Sequence, residues 1–267
     1  MINKSLNLFS IQQKDDELSR YLSAWKSGVL AEVKFWDAWL EQRGGRWKDE
    51  FLTRFAADAP LQLQINPTSG ETVRILDVGS GPVTNIGYRL SGTPVDIVAV
   101  DPLAVIYSSL LNKYRLTPPV PTILGFAEDL SSQFDSEVFD VIHCRNALDH
   151  SYDPVRGLQE MLLVAKVSGS VILHHAANEA INAAYDGLHQ WNFDEQDSNF
   201  IIYNKSTSYN ITELAKPFAD VKTTKVSNWV SVHIKKIASI NIDMNSRHRQ
   251  RNMTLLRGIM HVLTTVG

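Results

Sequence analysis

Val73-Arg74-Ile75-Leu76-Asp77-Val78-Gly79-Ser80-Gly81 is the stretch that decides the fold. Val73, Ile75, Leu76 and Val78 form the apolar run of a short buried strand, and Asp77 sits near its carboxyl end. Gly79 and Gly81 let the backbone turn sharply and pass close to a ligand. Ligands of open α/β sheets bind outside the carboxyl ends of the strands, so a cofactor belongs at this turn. The next apolar run, Val95-Asp96-Ile97-Val98-Ala99-Val100, ends in Asp101, where a ribose-binding acid is expected. The third glycine of a dinucleotide fingerprint is not met, because Pro82 follows Gly81 and the next glycine is Gly87.

An acid followed by x-Gly-x-Gly with a relaxed third position resembles the first motif of the class I S-adenosylmethionine-dependent methyltransferases. The resemblance covers roughly residues 70–237. Glu137-Val138-Phe139-Asp140-Val141-Ile142-His143-Cys144 is similar to that family's fourth strand. Asn146-Ala147-Leu148-Asp149-His150-Ser151-Tyr152-Asp153-Pro154 resembles its Asn-x-Leu-acid-His-x-x-Asp-Pro turn. Lys166-Val167-Ser168-Gly169 resembles its Lys-Pro-Gly-Gly approach to the fifth strand, with Val-Ser in place of Pro-Gly.

The resemblance implies an α/β fold: a Rossmann-like, doubly wound seven-stranded sheet with a closing antiparallel strand. It implies S-adenosylmethionine as cofactor, with Asp77, Gly79 and Gly81 at the methionine end and Asp101 on the ribose hydroxyls. Phe126, Ala127 and Glu128 would form the adenine site, and Asn146 is counted among the cofactor-binding residues. Relatives often carry an acid where Phe126 stands, so Phe126 is expected to pack on the ring while Glu128 or Asp129 takes the polar contact.

The 267 residues suit one such domain with additions. The expected division is an N-terminal helical cap (1–70), a methyltransferase domain (71–240) with a substrate insertion (177–210), and a basic tail (241–267). The tail carries Arg247, His248, Arg249, Arg251 and Arg257. A net charge of -3 gives no reason to expect nucleic acid as a partner. The lone cysteine, Cys144, excludes an internal disulfide and fits a reducing cytoplasm. The chain shows neither an apolar run long enough to span a membrane nor a signal-peptide core at its N-terminus.

Apolar spacing predicts helices over 15–42 and 47–57, and further helices at 85–90, 104–114 and 155–167. Leu18, Tyr21, Leu22 and Trp25 begin the first stripe, and Pro67 and Gly70 fall in the loop that delivers the chain to the first strand. Strands are expected at 122–125, 171–175 and, inside the insertion, 199–203. Asn210 should cap a short helix over 211–218, and 221–226 and 229–237 should form the closing antiparallel pair.

Asp149 and His150 lie just past the fourth strand, beside where the methyl should point. An imidazole there accepts a proton from a substrate hydroxyl, with the carboxylate orienting it. His175, Glu179, His189 and Trp191 are the expected substrate contacts, with Trp191 offering a flat face to a polar ring. The expected acceptor is a hydroxyl of a small polar molecule such as a sugar or nucleotide-linked sugar. Methylation of a small amine and a non-catalytic cofactor-binding subunit are the alternatives. Asn146-x-x-Asp149-His150, followed by His174 or His175, resembles the metal-binding pattern of small-RNA 2′-O-methyltransferases. Asn146 stands where that pattern has a glutamate, so a divalent metal is not expected.

Overall fold

The computed structural model describes residues 15–65, 71–240, 253–254 and 257–258. The tail residues Arg247, His248, Arg249 and Arg251 lie outside them, as do Pro67, Gly70 and the side chains of Leu18, Tyr21, Leu22 and Trp25.

The apolar run quoted first is β1 (Val73–Val78). It pairs in parallel with β2 (Val95–Asp101) from Val73↔Val95 to Val78↔Val100. On its other side it pairs with β4 (Phe139–Arg145), setting Asp77 beside His143. β3 (Thr122–Leu124) lies outside β2, and β5 (Ala165–Ala176) outside β4. β10 (Trp229–Lys236) runs antiparallel to both β5 and β9 (Ala219–Val226). The sheet order is therefore β3-β2-β1-β4-β5-β10-β9, the doubly wound arrangement with its closing antiparallel strand. Its order reverses between β1 and β4, so the carboxyl ends of β1, β2 and β4 open on one crevice.

α3 (Ala104–Lys113) and α4 (Pro154–Val164) cover the sheet. All eleven residues of α4 are buried, including Arg156 and Glu160, which pair with each other. The start of α4 follows from Asp153-Pro154. The Asp153 side chain accepts from Arg156 N at 2.9 Å, and Pro154 fills the first turn, where no amide donor is needed. The predicted helix over 155–167 ends earlier, at Val164, because Lys166 to Ser170 enter β5 through a register shift opposite Phe139 and Val141.

No helix forms over 85–90, which corrects the sequence expectation. The amides that would close helical turns bond elsewhere: Tyr88 N and Arg89 N both donate to Ala59 O, at 2.8 and 3.0 Å. Ile86 O and Arg89 O accept from Gln62 N and Leu61 N. The segment is thus tied to the end of the N-terminal region, and Gly87 turns it with φ 78°.

That region consists of α1 (Asp15–Glu41) and α2 (Lys48–Phe55), joined by a short 3₁₀ turn. Trp39, Leu40, Phe51, Val83 and Leu111 form the apolar cluster between it and the sheet domain. After β5 comes α5 (Glu179–Asn182), and then β6 (Asn192–Gln196), β7 (Asn199–Tyr203) and β8 (Ser208–Asn210) form a separate antiparallel sheet. Only β7 of these three strands was expected. α6 (Ile211–Ala215) follows, capped by the Asn210 side chain, which accepts from Glu213 N at 3.1 Å. Among the described residues no helix is long and apolar enough to cross a membrane, and Arg257 is exposed.

Candidate active site

The crevice holds a cavity of about 130 Å³ lined by the β1 turn, the ends of β2 and β4, and the inner face of α1. Gly81 is at φ 66°, and a Cβ there would come within 2.9 Å of the Trp36 ring, so glycine is required both by conformation and by contact. Trp36 is fixed by a 2.7 Å hydrogen bond from its Nε1 to Glu32 Oε1 and by an edge contact with Tyr107.

Asp101, at the end of β2, lines this cavity and is 7% exposed. One of its oxygens accepts from Gly81 N at 3.0 Å and the other from Leu103 N at 2.8 Å. Each carboxylate oxygen keeps a lone pair for a further donor, which is what two vicinal ribose hydroxyls need. Burial pushes its pKa up to about 7 despite those two amides, with Glu32 and Asp77 adding like-charge repulsion. Phe126, Ala127 and Glu128 also line the cavity. Glu128 accepts from Asp153 N at 3.3 Å, and its pKa is driven by burial to about 8, so it presents a protonated carboxyl near neutral pH.

Asp77 lines the same space with its carboxylate already engaged. Thr84 Oγ1 donates to one oxygen, and His143 Nδ1 lies 2.7 Å from the other. Asn146, also on the cavity wall, has φ 47°, and its side-chain oxygen accepts from Ala176 N at 3.0 Å. Gly79 completes the turn at φ 70°. The expected cofactor residues thus converge on one cavity. Sequence reasoning missed Arg54, Arg145 and Trp36, which also line it. The spacing of Glu32, Trp36 and Trp39 along α1 was the available signal for that wall. Arg54 donates to Val83 O at 3.0 Å, and burial lowers its pKa.

Asp149 and His150 close the 3₁₀ turn after β4, and His150 lines the cavity while Asp149 is buried behind it. The insertion adds His189 to them. His189 Nδ1 lies 3.0 Å from Asp149 Oδ2 and 3.2 Å from His150 Nε2, and His150 Nε2 lies 3.4 Å from Asp149 Oδ2. Burial raises the Asp149 pKa, but the charge of His150, the His189 hydrogen bond and the charge of His175 outweigh it and hold the group at about 2. The same hydrogen bond raises the pKa of His189. A close backbone approach seats the insertion here: a Cβ on Gly28 of α1 would lie 2.5 Å from Leu188 N.

The other expected substrate contacts lie elsewhere. Trp191 does not offer a stacking face; it is 4% exposed in the main core cluster, beside Tyr209. His175 is 1% exposed and packs edge-on against Phe193, and burial pushes its pKa down to about 3. Glu179 is half-buried on α5 and does not reach the cavity wall, though its charge acts on His189. His174 turns away from the cluster, with Nδ1 2.8 Å from Ser231 Oγ and its ring stacked on Trp229.

Residues 76–173 match the protein family described as "Methyltransferase domain". That span holds the β1 turn, Asp101, the Phe126–Glu128 wall and the Asp149-His150 turn, and the chain carries a class I, S-adenosylmethionine-dependent methyltransferase domain. S-adenosylmethionine is the cofactor of that class.

Among curated proteins none matches the sequence. Among solved structures, the CurJ carbon methyltransferase is 16% identical with a TM-score of 0.46, over 65% of this chain and 50% of that one. A SAM dependent methyltransferase from Aquifex aeolicus is 15% identical with a TM-score of 0.40, over 62% of this chain and 82% of that one. The chain thus spans half the length of the first of these proteins.

Proposed function

We propose that the protein transfers a methyl group from S-adenosylmethionine to a hydroxyl oxygen of a small polar acceptor. The observation that carries this reading is the convergence of Asp149, His150 and His189 at the wall of the cofactor cavity. An amine acceptor is nucleophilic once neutral and needs no such cluster, whereas a hydroxyl must be polarised and must lose a proton.

When bound, the cofactor would supply the activated methyl on its sulfonium, a new O–C bond to the acceptor replacing the C–S bond. The chain's own part is to position and to manage charge. Asp101 and Glu128 hold the nucleoside end, Asp77 and the Gly79–Gly81 turn shape the opposite end, and Trp36 walls the cavity from α1. His150 faces the space where the acceptor oxygen would sit, with the Asp149 carboxylate behind it to stabilise positive charge. With Trp191 in the core, the insertion contributes Leu188 and His189 to this region, and a sugar loses the stacking face that favoured it. The buried Cys144, as the sole cysteine, supports a reducing compartment such as the cytoplasm.

The test is methyl transfer to a panel of hydroxyl and amine acceptors, read as S-adenosylhomocysteine release, for the natural protein and His150→Ala. The expected result is turnover of a hydroxyl acceptor that falls by about 100-fold or more in the variant, within the usual range for loss of proton-transfer catalysis, while cofactor affinity holds. Turnover of amines alone, little changed by His150→Ala, overturns the oxygen assignment.

A further inference from the structure

We infer that Asp149 Oδ2, His150 Nε2 and His189 Nδ1 form a binding site for a single first-row divalent transition ion at the wall of the cofactor cavity. The three atoms make a nearly equilateral triangle with edges of 3.0, 3.2 and 3.4 Å. Nitrogen and oxygen ligands bind such ions at about 2.0–2.2 Å. At about 2.1 Å, adjacent ligands lie about 3.0 Å apart in an octahedron and about 3.4 Å apart in a tetrahedron. The observed edges span that interval. Two imidazoles and one carboxylate on a single face, with the remaining positions open, are the donor set of catalytic zinc and non-haem iron centres.

Both imidazole nitrogens face the same carboxylate oxygen, Asp149 Oδ2. Independently, Asp149 Oδ1 is buried and has no hydrogen-bond partner among the described residues. A carboxylate whose side chain is 3% exposed does not ordinarily leave an oxygen unpaired. An ion on the Oδ2 face lets Asp149 bind through one oxygen or both. The two imidazoles are 19% and 32% exposed, so the cluster is partly open, and His150 lines the cavity.

This set differs from the pattern seen in the sequence. Asn146 is committed to Ala176 N and His174 to Ser231, while His189 comes from the insertion, 39 residues beyond His150. The inference rests on the methyl-transfer reading only in that it changes the part of His150: with the ion bound, His150 Nε2 is a ligand rather than a proton acceptor, and the ion lowers the pKa of the acceptor hydroxyl beside it. Binding of the ion is independent of that reading.

The experiment uses the full chain, stripped with a chelator and titrated with cobalt(II) chloride without cofactor or acceptor. Calorimetry and the visible absorption of bound cobalt are the readouts. The expected result is one equivalent bound, weakened by about 100-fold or more in His189→Ala and in Asp149→Asn, at the upper end of what even outer-sphere changes cost. His174→Ala should bind as the natural protein does. Thermal stabilisation by S-adenosylmethionine reports whether each variant is folded. The cobalt-loaded natural protein supplies a check that needs no variant: its proton spectrum should show two strongly shifted, exchangeable imidazole N–H signals. Absence of cobalt binding, binding unaffected by His189→Ala in a folded variant, or shifted signals from other than two histidines overturns the site. Absence of methyl transfer with cobalt binding intact counts against the function and leaves the site standing.

Discussion

Cofactor affinity should depend on pH through Asp101, in a direction set by its burial. The carboxyl is 7% exposed, and its pKa lies near 7. Ribose hydroxyls donate to the ionised form, so apparent affinity follows the ionised fraction: about one-tenth at pH 6 and about nine-tenths at pH 8. Affinity for S-adenosylhomocysteine should therefore rise roughly tenfold between those values, or about 1.4 kcal/mol. Folding responds with the opposite sign. A group whose folded pKa lies above its unfolded value contributes most below the unfolded value, near 3.8, and that contribution is lost as pH rises through about 7. At pH 7 the free protein holds about half a proton on Asp101, which ligand binding should release. Calorimetry in buffers of different ionisation enthalpy measures both quantities. Asp101→Asn should lose about 1.5–3 kcal/mol of affinity, the range for a hydrogen bond to a charged group, and should flatten the slope below pH 7. Glu128, with its pKa near 8, adds its own dependence above that range, and the asparagine variant keeps it. A natural protein with flat affinity from pH 6 to 8, or an asparagine variant with an unchanged slope, would refute the assignment of Asp101 to the ribose.

Two other substitutions separate core from site. Trp191→Ala should destabilise the fold by about 3–5 kcal/mol, as a buried aromatic does, and Trp191→Phe should recover most of it. A normal denaturation midpoint with impaired acceptor use would return Trp191 to the pocket. Gly28→Ala places a methyl within 2.5 Å of Leu188 N, so the loop carrying His189 has to move. The expected cost is about 1–3 kcal/mol in denaturant unfolding, with faster proteolysis near residue 188. Natural-like stability and protease resistance would show that the α1 contact yields freely.

The parts of the fold legible in the sequence are those specified by short-range patterns. β1 and β2 are buried parallel strands, read as apolar runs that end in Asp77 and Asp101, and their register brings both acids to one crevice. The start of α4 was legible because Asp153 and Pro154 act on the adjacent turn. The segment over 85–90 was not, because its backbone partners are Ala59 to Gln62, more than twenty residues away. The β6–β7 hairpin turns on Asp197 and Ser198, both at positive φ, where Asn-Gly would have announced it. Trp191 misled for a related reason: its polar neighbours Gln190 and Asn192 suggested a surface, yet their polar groups are met inside the protein. Gln190 donates to Tyr185 O and Gly187 O, and the Asn192 oxygen accepts from Ile181 N, so this polar stretch is internally satisfied and the indole can be core. His189 illustrates the same limit at the site. Asp149 and His150 are neighbours in sequence and could be read as a pair, but nothing in their spacing points 39 residues ahead to a third heteroatom. Gly28 of α1 lies closely against Gly187 and Leu188, next to His189, and a cluster completed beside such a contact is visible only once α1 and the insertion are seen side by side.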